Sequence, residues 1–284
     1  MYNFIGGIAG DIIGSVYEWH NATDLSNIEF FKNGCKYTDD TVLTCAIASW
    51  LVKSEGLTEE KSLEILNNEL LKFGKAHPYA GYGRMFRKWL NMPSPEPMGS
   101  FGNGAGMRVS PVGFFAKTED ECLRLAEWSA KVTHDHPEGI KGAKAIALAI
   151  YLARRGEVKP YIKSRIESLF DYNLDHKVED YVTLEGDKIV GRSHKFDATC
   201  QTTVPEAIVA FLESESYSDA IVNAIEIGGD TDTIADMAGA IAGAYYGIPS
   251  FISERAISFL SEDLLNALIE FNDCILNHER KNKA

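Results

Sequence analysis

The chain is poor in several features that would have decided its class at once. Its cysteines, Cys35, Cys45, Cys122, Cys200 and Cys274, are odd in number and show no C-x-x-C spacing. That excludes a disulfide framework and a cysteine zinc site, and reduced thiols in a cytoplasm fit better. Basic charge is also short: 28 Lys and Arg stand against 41 Asp and Glu, a formal net charge of −13. Binders of nucleic-acid backbone or of anionic membrane surfaces need cationic faces, so neither partner is expected. No apolar run reaches membrane-spanning length, which predicts a soluble protein. The N-terminus has no basic region before its apolar stretch, and Asp11 interrupts that stretch, so it does not read as a signal peptide. There is no repeat of fixed period and no low-complexity linker, so 284 residues are read as a single domain, 1-284.

Strand-like alternation is scarce too, and helical periodicity dominates. Ile5 to Tyr17 is apolar and small, and Val42 to Leu51 is a buried run. Acidic first turns open Leu63–Phe73 at Thr58-Glu59-Glu60 and Cys122–Lys131 at Thr118-Glu119-Asp120-Glu121. Further helices are expected over Gly139–Arg155, Val158–Phe170, Thr203–Leu212, Ser218–Ile227, Thr231–Tyr246 and Glu262–Asn277. Asp180 to Val190 suits a small hairpin around Gly186-Asp187. The expected fold class is all-α. Pro93-Ser94-Pro95-Glu96-Pro97 runs into a glycine-rich loop and reads as one wall of a cleft. The tail after His278 reads as a frayed, solvated end.

Two acidic strings carry most of the chemistry: Thr38-Asp39-Asp40-Thr41 and Asp230-Thr231-Asp232-Thr233, each at the mouth of a buried helix. Carboxylates there are costly unless a cation or a hydrogen-bond donor neutralises them. Taken alone, the first string is equally an N-cap with acids on the positive helix end. The second follows Gly228-Gly229, where backbone and ligand can approach closely, and it presents several oxygens around one point. Together the strings read as two halves of an all-oxygen site, which favours Mg²⁺, Mn²⁺ or Ca²⁺ over zinc. Shared carboxylates usually hold such ions roughly 3.5–4 Å apart.

Other segments fit around that pair. Gly6 to Glu18 carries small residues at close helical spacing, which suits tight helix packing. A carboxylate at a helix C-terminus is mildly unfavourable, so Glu18 has another reason to be there, such as orienting or deprotonating a water. Ser100-Phe101-Gly102-Asn103-Gly104-Ala105-Gly106-Met107-Arg108 is a glycine-rich turn leading into a helix. It offers backbone N–H groups to a phosphate and Phe101 to a base, with Arg108 a possible structural ion-pair partner; a plain loop is the competing reading. In Thr133-His134-Asp135-His136-Pro137 the histidine pair beside proline reads as a helix-end feature, with His134 contacting substrate rather than metal.

In this order and register the set Gly10-Asp11-x-x-Gly14-Ser15-x-x-Glu18, Thr38-Asp39-Asp40-Thr41, Ser100-Phe101-Gly102-Asn103-Gly104-x-x-Met107-Arg108 and Gly229-Asp230-Thr231-Asp232-Thr233 resembles the ADP-ribosylglycohydrolase family. The resemblance implies a compact orthogonal bundle of helices around two Mg²⁺ or Mn²⁺ ions. It also implies cleavage of the bond joining ADP-ribose to an acceptor, arginine first, on a modified protein or a small conjugate. By position it implies Thr38, Asp39, Asp40, Asp230, Asp232 and Thr233 as metal ligands, and Glu18 as catalytic glutamate with Asp39 beside it. It further implies Ser100, Phe101, Gly102 and Asn103 as a diphosphate loop continuing to Met107. Gly81 would lie near the distal ribose and His134 against the adenine. The expected protein is a cytoplasmic monomer. A silent ADP-ribose reader and a two-metal nucleotide phosphoesterase stay open as alternatives.

Overall fold

The computed structural model describes residues 2–193 and 195–283. The first helix, α1 (Ile5–Gly14), is buried along its whole length. It is followed by α2 (Asp39–Ser54), α3 (Glu59–Ala76), α4 (Arg84–Leu90), α5 (Gly104–Met107) and α6 (Ser110–Phe115). Next come α7 (Glu119–Lys131), α8 (Pro137–Arg154) and α9 (Lys159–Phe170). A hairpin of β1 (Val182–Glu185) and β2 (Lys188–Arg192) precedes α10 (Cys200–Leu212), α11 (Tyr217–Ile227), α12 (Thr231–Tyr246), α13 (Ser250–Ile257) and α14 (Glu262–Lys283). The all-α expectation holds, and the strands pair antiparallel from Val182↔Arg192 to Glu185↔Lys188 with a bulge at Thr183/Leu184.

The ends of the chain meet where α1 crosses α12. Gly6, Gly10 and Gly14 recur every fourth residue and so line one face of α1. A Cβ on Gly10 would lie 2.0 Å from the Ala235 carbonyl oxygen, and one on Gly14 would lie 2.6 Å from Asp232 Cα. Only glycine lets the two backbones approach this closely. On the remaining faces Ile5, Ile8, Ile12 and Ile13 are fully buried, each contributing about 2 kcal/mol of apolar burial. One apolar core runs from Phe4 to Ile275 and takes in Trp50, Trp89 and Phe211.

Several expected boundaries shift for local reasons. α1 ends at Gly14 rather than Tyr17, so Glu18 lies four residues beyond the helix in a turn. α10 starts at Cys200 and carries Pro205 as its sixth residue, where the missing N–H leaves the Gln201 carbonyl without its helical bond. The short helices α4, α6 and α13 had no clear period to betray them. α14 continues to Lys283, beyond the fraying expected after His278. The proline stretch 93–97 lies outside the cleft lining, to which Met98 and Ser100 belong instead.

Candidate active site

The N-terminal ends of α2 and α12 converge beside α1. Thr38 caps α2, its hydroxyl oxygen accepting from the Asp40 N–H at 3.3 Å. Asp11, fully buried in α1, ties that end down by accepting from the Thr38 N–H (2.9 Å) and hydroxyl (2.8 Å). It also accepts from the Thr41 N–H (3.2 Å) and hydroxyl (2.5 Å). The α12 end follows Gly228 and Gly229, both at positive φ. Asn21 holds that turn by accepting from the Gly229 N–H at 2.9 Å and the Thr231 hydroxyl at 3.2 Å. Arg192 of β2 bonds the Ile227 carbonyl (3.1 Å) and the Ala22 carbonyl (2.7 Å), so the hairpin braces the same loop.

Two carboxylate triads result: Asp11, Asp40 and Asp232, and Glu18, Asp230 and Asp232, each with donor oxygens within 4.8 Å of one another. Asp232 belongs to both. Asp40 Oδ1 and Asp232 Oδ1 are buried with no hydrogen-bond partner, and Asp236 has neither oxygen paired. Burial, then neighbouring carboxylates, pushes Asp40 and Asp232 well above the usual carboxylate range. Burial and then Asp11 raise Asp39 to about 8; burial and then Asp230 raise Glu18 to about 7. Unpaired, hard, anionic oxygens crowded this tightly fit a divalent cation, which would restore their charged forms. Thr38, Asp39, Asp40, Asp230, Asp232 and Thr233 all line the cleft at this point, whereas Asp11 and Asp236 stand behind them.

Above the carboxylates lies a cleft of about 570 Å³, a size suited to a nucleotide-like ligand. Glu18, Gly81, Ser100, Gly102, Asn103, Met107 and His134 all line it. Gly81 adopts φ +115 and passes so near Asp39 that a Cβ would sit 3.1 Å from its Oδ1. Asn103 spans loop and floor, its amide donating to Asp230 Oδ2 at 2.7 Å. Burial, with Arg108 next, holds the His134 ring well below the ordinary histidine range and therefore neutral.

Three expectations change. Phe101 lies outside the lining, exposed, with its ring tilted over His136 at 5.1 Å. The loop is also a poorer phosphate cradle than its glycines suggest. The Gly102 N–H donates to Ser100 Oγ (3.3 Å) and the Asn103 N–H to the Ala198 carbonyl (2.9 Å), so both are already used. Arg108 makes no ion pair with a carboxylate among the described residues. Its Nη2 instead donates to the Ser129 carbonyl and Thr133 Oγ1. His136 is the N-cap of α8, as its place before proline suggested. Sequence reasoning gave no role to Asp11 or Asp236; an acid isolated within an apolar, small-residue run was the available signal. It also missed Trp19 and Phe196, exposed rings stacked at 5.1 Å in the cleft lining beside Glu18.

Together these elements define an all-helical protein with a carboxylate-floored cleft. The ADP-ribosylglycohydrolase family model matches residues 3–283, and the chain belongs to that family. It is 30% identical to the ADP-ribosylhydrolase ARH3 of Mus musculus over 338 residues, spanning 92% of this chain and 88% of that one. It is 24% identical over 294 residues to the ADP-ribosylarginine hydrolase Tri1 of Pseudomonas putida (strain GB-1), covering 94% of this chain and 76% of that protein. Among solved structures, an ADP-ribosylglycohydrolase-related protein complex shares the fold with a TM-score of 0.67 at 21% identity, covering 95% of this chain and 97% of that one.

Proposed function

We propose that this protein is a metal-dependent hydrolase that cleaves the glycosidic bond between ADP-ribose and an acceptor, with a modified arginine side chain first among acceptors. The observation that carries this reading is the pair of carboxylate triads sharing Asp232, with unpartnered oxygens, beneath a cleft that also holds Glu18. Thr38, Asp39, Asp40, Asp230, Asp232 and Thr233 would hold two Mg²⁺ or Mn²⁺ ions. Bound there, the ions supply positive charge that orients ribose hydroxyls and water.

The remaining steps belong to the chain. The cleft seats ADP-ribose, and Asn103 keeps Asp230 oriented. Water adds at the anomeric carbon as the bond to the acceptor nitrogen breaks, and the bonding pair leaves with that nitrogen. Glu18 takes the water's proton on a carboxylate oxygen, a role that suits a carboxylate lining the cleft beside Asp230 and Asp232. The arginine preference is supported by the stacked Trp19 and Phe196 rings beside Glu18, which suit a planar guanidinium. The name of the Pseudomonas putida relative points the same way.

The chain acts as a single domain, since one core joins both ends. It acts as a cytoplasmic monomer with reduced thiols, and its acidic balance fits neither nucleic acid nor anionic membrane as a partner. The test is a panel of ADP-ribosylated arginine, ADP-ribosylated serine and small ADP-ribose conjugates, with and without Mg²⁺ or Mn²⁺. Metal-dependent release of ADP-ribose, fastest from arginine, is the expected result. AMP or inorganic phosphate as product would establish a phosphoesterase instead, and tight ADP-ribose binding without turnover a reader.

A further inference from the structure

Arg108 follows α5 and is fully buried, yet among the described residues no carboxylate pairs with it, and its Nε and Nη1 have no partner. An uncompensated buried cation is costly, so a role beyond packing is worth seeking. Its Nη2 donates to the Ser129 carbonyl at 2.6 Å and to Thr133 Oγ1 at 2.7 Å. A guanidinium has donors only, so Thr133 Oγ1 accepts in that bond. The single hydroxyl hydrogen of Thr133 is then available to another acceptor. His134 Nδ1 lies 2.7 Å away, whereas the Ala130 carbonyl is at 3.5 Å.

That donor order fixes the ring. With the hydroxyl hydrogen on that nearer acceptor, Nδ1 accepts, and the proton of the neutral imidazole sits on Nε2. Nε2 faces the glycine loop: a Cβ on Gly104 would lie 3.0 Å from it and one on Gly102 would lie 3.7 Å away. These glycines line the cleft with His134, and among the described residues no protein acceptor meets Nε2.

We propose that Arg108 and Thr133 are positioning residues that lock His134 as an Nε2–H donor aimed into the cleft, where it selects a ligand presenting an anionic acceptor such as a nucleoside diphosphate oxygen. The ligand half of this proposal rests on the functional reading above; the tautomer half does not. The chain of donors runs from a cation through a hydroxyl to a ring, and the 2.7 Å contact to Nδ1 favours this direction over donation to the Ala130 carbonyl at 3.5 Å. The buried guanidinium behind the ring further favours an anion in front of it.

Long-range proton–nitrogen correlation spectra of ¹⁵N-histidine protein, with the His134 signal assigned from His134→Gln, test the tautomer directly. The wild-type ring is expected neutral with its proton on Nε2. Thr133→Val should release the ring to a tautomer mixture and weaken ADP-ribose binding about tenfold. The turnover number should change by less than about threefold, because the lost contact binds substrate and transition state alike. Thr133→Ser should restore spectrum and affinity together. A wild-type ring protonated at Nδ1, or on both nitrogens at neutral pH, overturns the proposal, even if the valine variant fails to fold. So does a Thr133→Val protein that melts like wild type and binds ADP-ribose with unchanged affinity. Wild-type protein that fails to bind ADP-ribose overturns the functional reading and the ligand half, while the spectrum alone decides the tautomer half.

Discussion

The floor and one wall of the cleft solve opposite electrostatic problems. At the floor, Asp11, Asp40, Asp232 and Asp236 are buried anions without a cation. Behind the wall, Arg108 is a buried cation that no carboxylate meets among the described residues. Desolvation pushes both toward neutrality, Asp39 up to about 8 and Arg108 down to about 9. The difference is access. Asp40 and Asp232 line an open cleft, so a diffusible cation can reach them. Arg108 does not line the cleft, and it acts through the hydrogen bonds it donates to Ser129 and Thr133 and through its field at His134. One charge imbalance makes a binding site for a partner, and the other orients a neighbour.

The largest effect that sharpens this contrast is on activity. Asp232→Asn removes charge shared by both triads at nearly constant volume, and metal-dependent turnover should fall by more than about 100-fold. With a chelator present the same variant should melt no lower than wild type, because a repelling carboxylate has gone. An active Asp232→Asn protein would break the assignment of the floor as a cation site.

Backbone packing should separate floor from wall next. Gly10→Ala drives a methyl into the Ala235 carbonyl at 2.0 Å, where backbone must move, and should cost about 3 kcal/mol or more in denaturant unfolding. Gly104→Ala meets the His134 ring at 3.0 Å, and a ring can shift, so about 1 kcal/mol is expected there. Equal costs at the two positions would show that α1 and α12 are not rigidly apposed.

The smallest effect is a pH dependence dominated by the floor. Its carboxyl groups titrate higher folded than unfolded, so their contribution is fully present below the ordinary carboxylate range. It is lost as pH rises toward about 8, the value for Asp39. In chelator, the melting temperature should fall by about 5 °C or more between pH ~5 and pH ~8, and Mg²⁺ or Mn²⁺ should reverse the fall. A melting temperature that rises over this interval without metal would contradict the buried-anion description.

Much of the floor was legible in the chain because its ligands come in adjacent residues at helix starts. Asp39-Asp40 and Asp230-Asp232 announce themselves through local composition, and so does the run of small residues that lets α1 pack closely. The wall was legible only in part. Phe101 looked like a base-stacking residue, but its ring turned onto His136, which nothing in the order of residues forecasts. Arg108 looked like an ion-pair partner, and among the described residues no carboxylate meets it. Trp19 and Phe196 lie far apart in the chain and stack only because the segments after α1 and β2 reach the same rim.

The helical class, the scarcity of strands and the two acid pairs were set by sequence alone, because periodicity and capping depend on neighbours a few residues apart. Which oxygens share a point was decided only in three dimensions. Asp11 joins Asp40 and Asp232 because α1 can lie directly against α12, and the direction of the Arg108–Thr133–His134 chain exists only once α5 and the end of α7 are packed. Local propensity specifies the elements; the close crossing of their backbones specifies which charges must face one another.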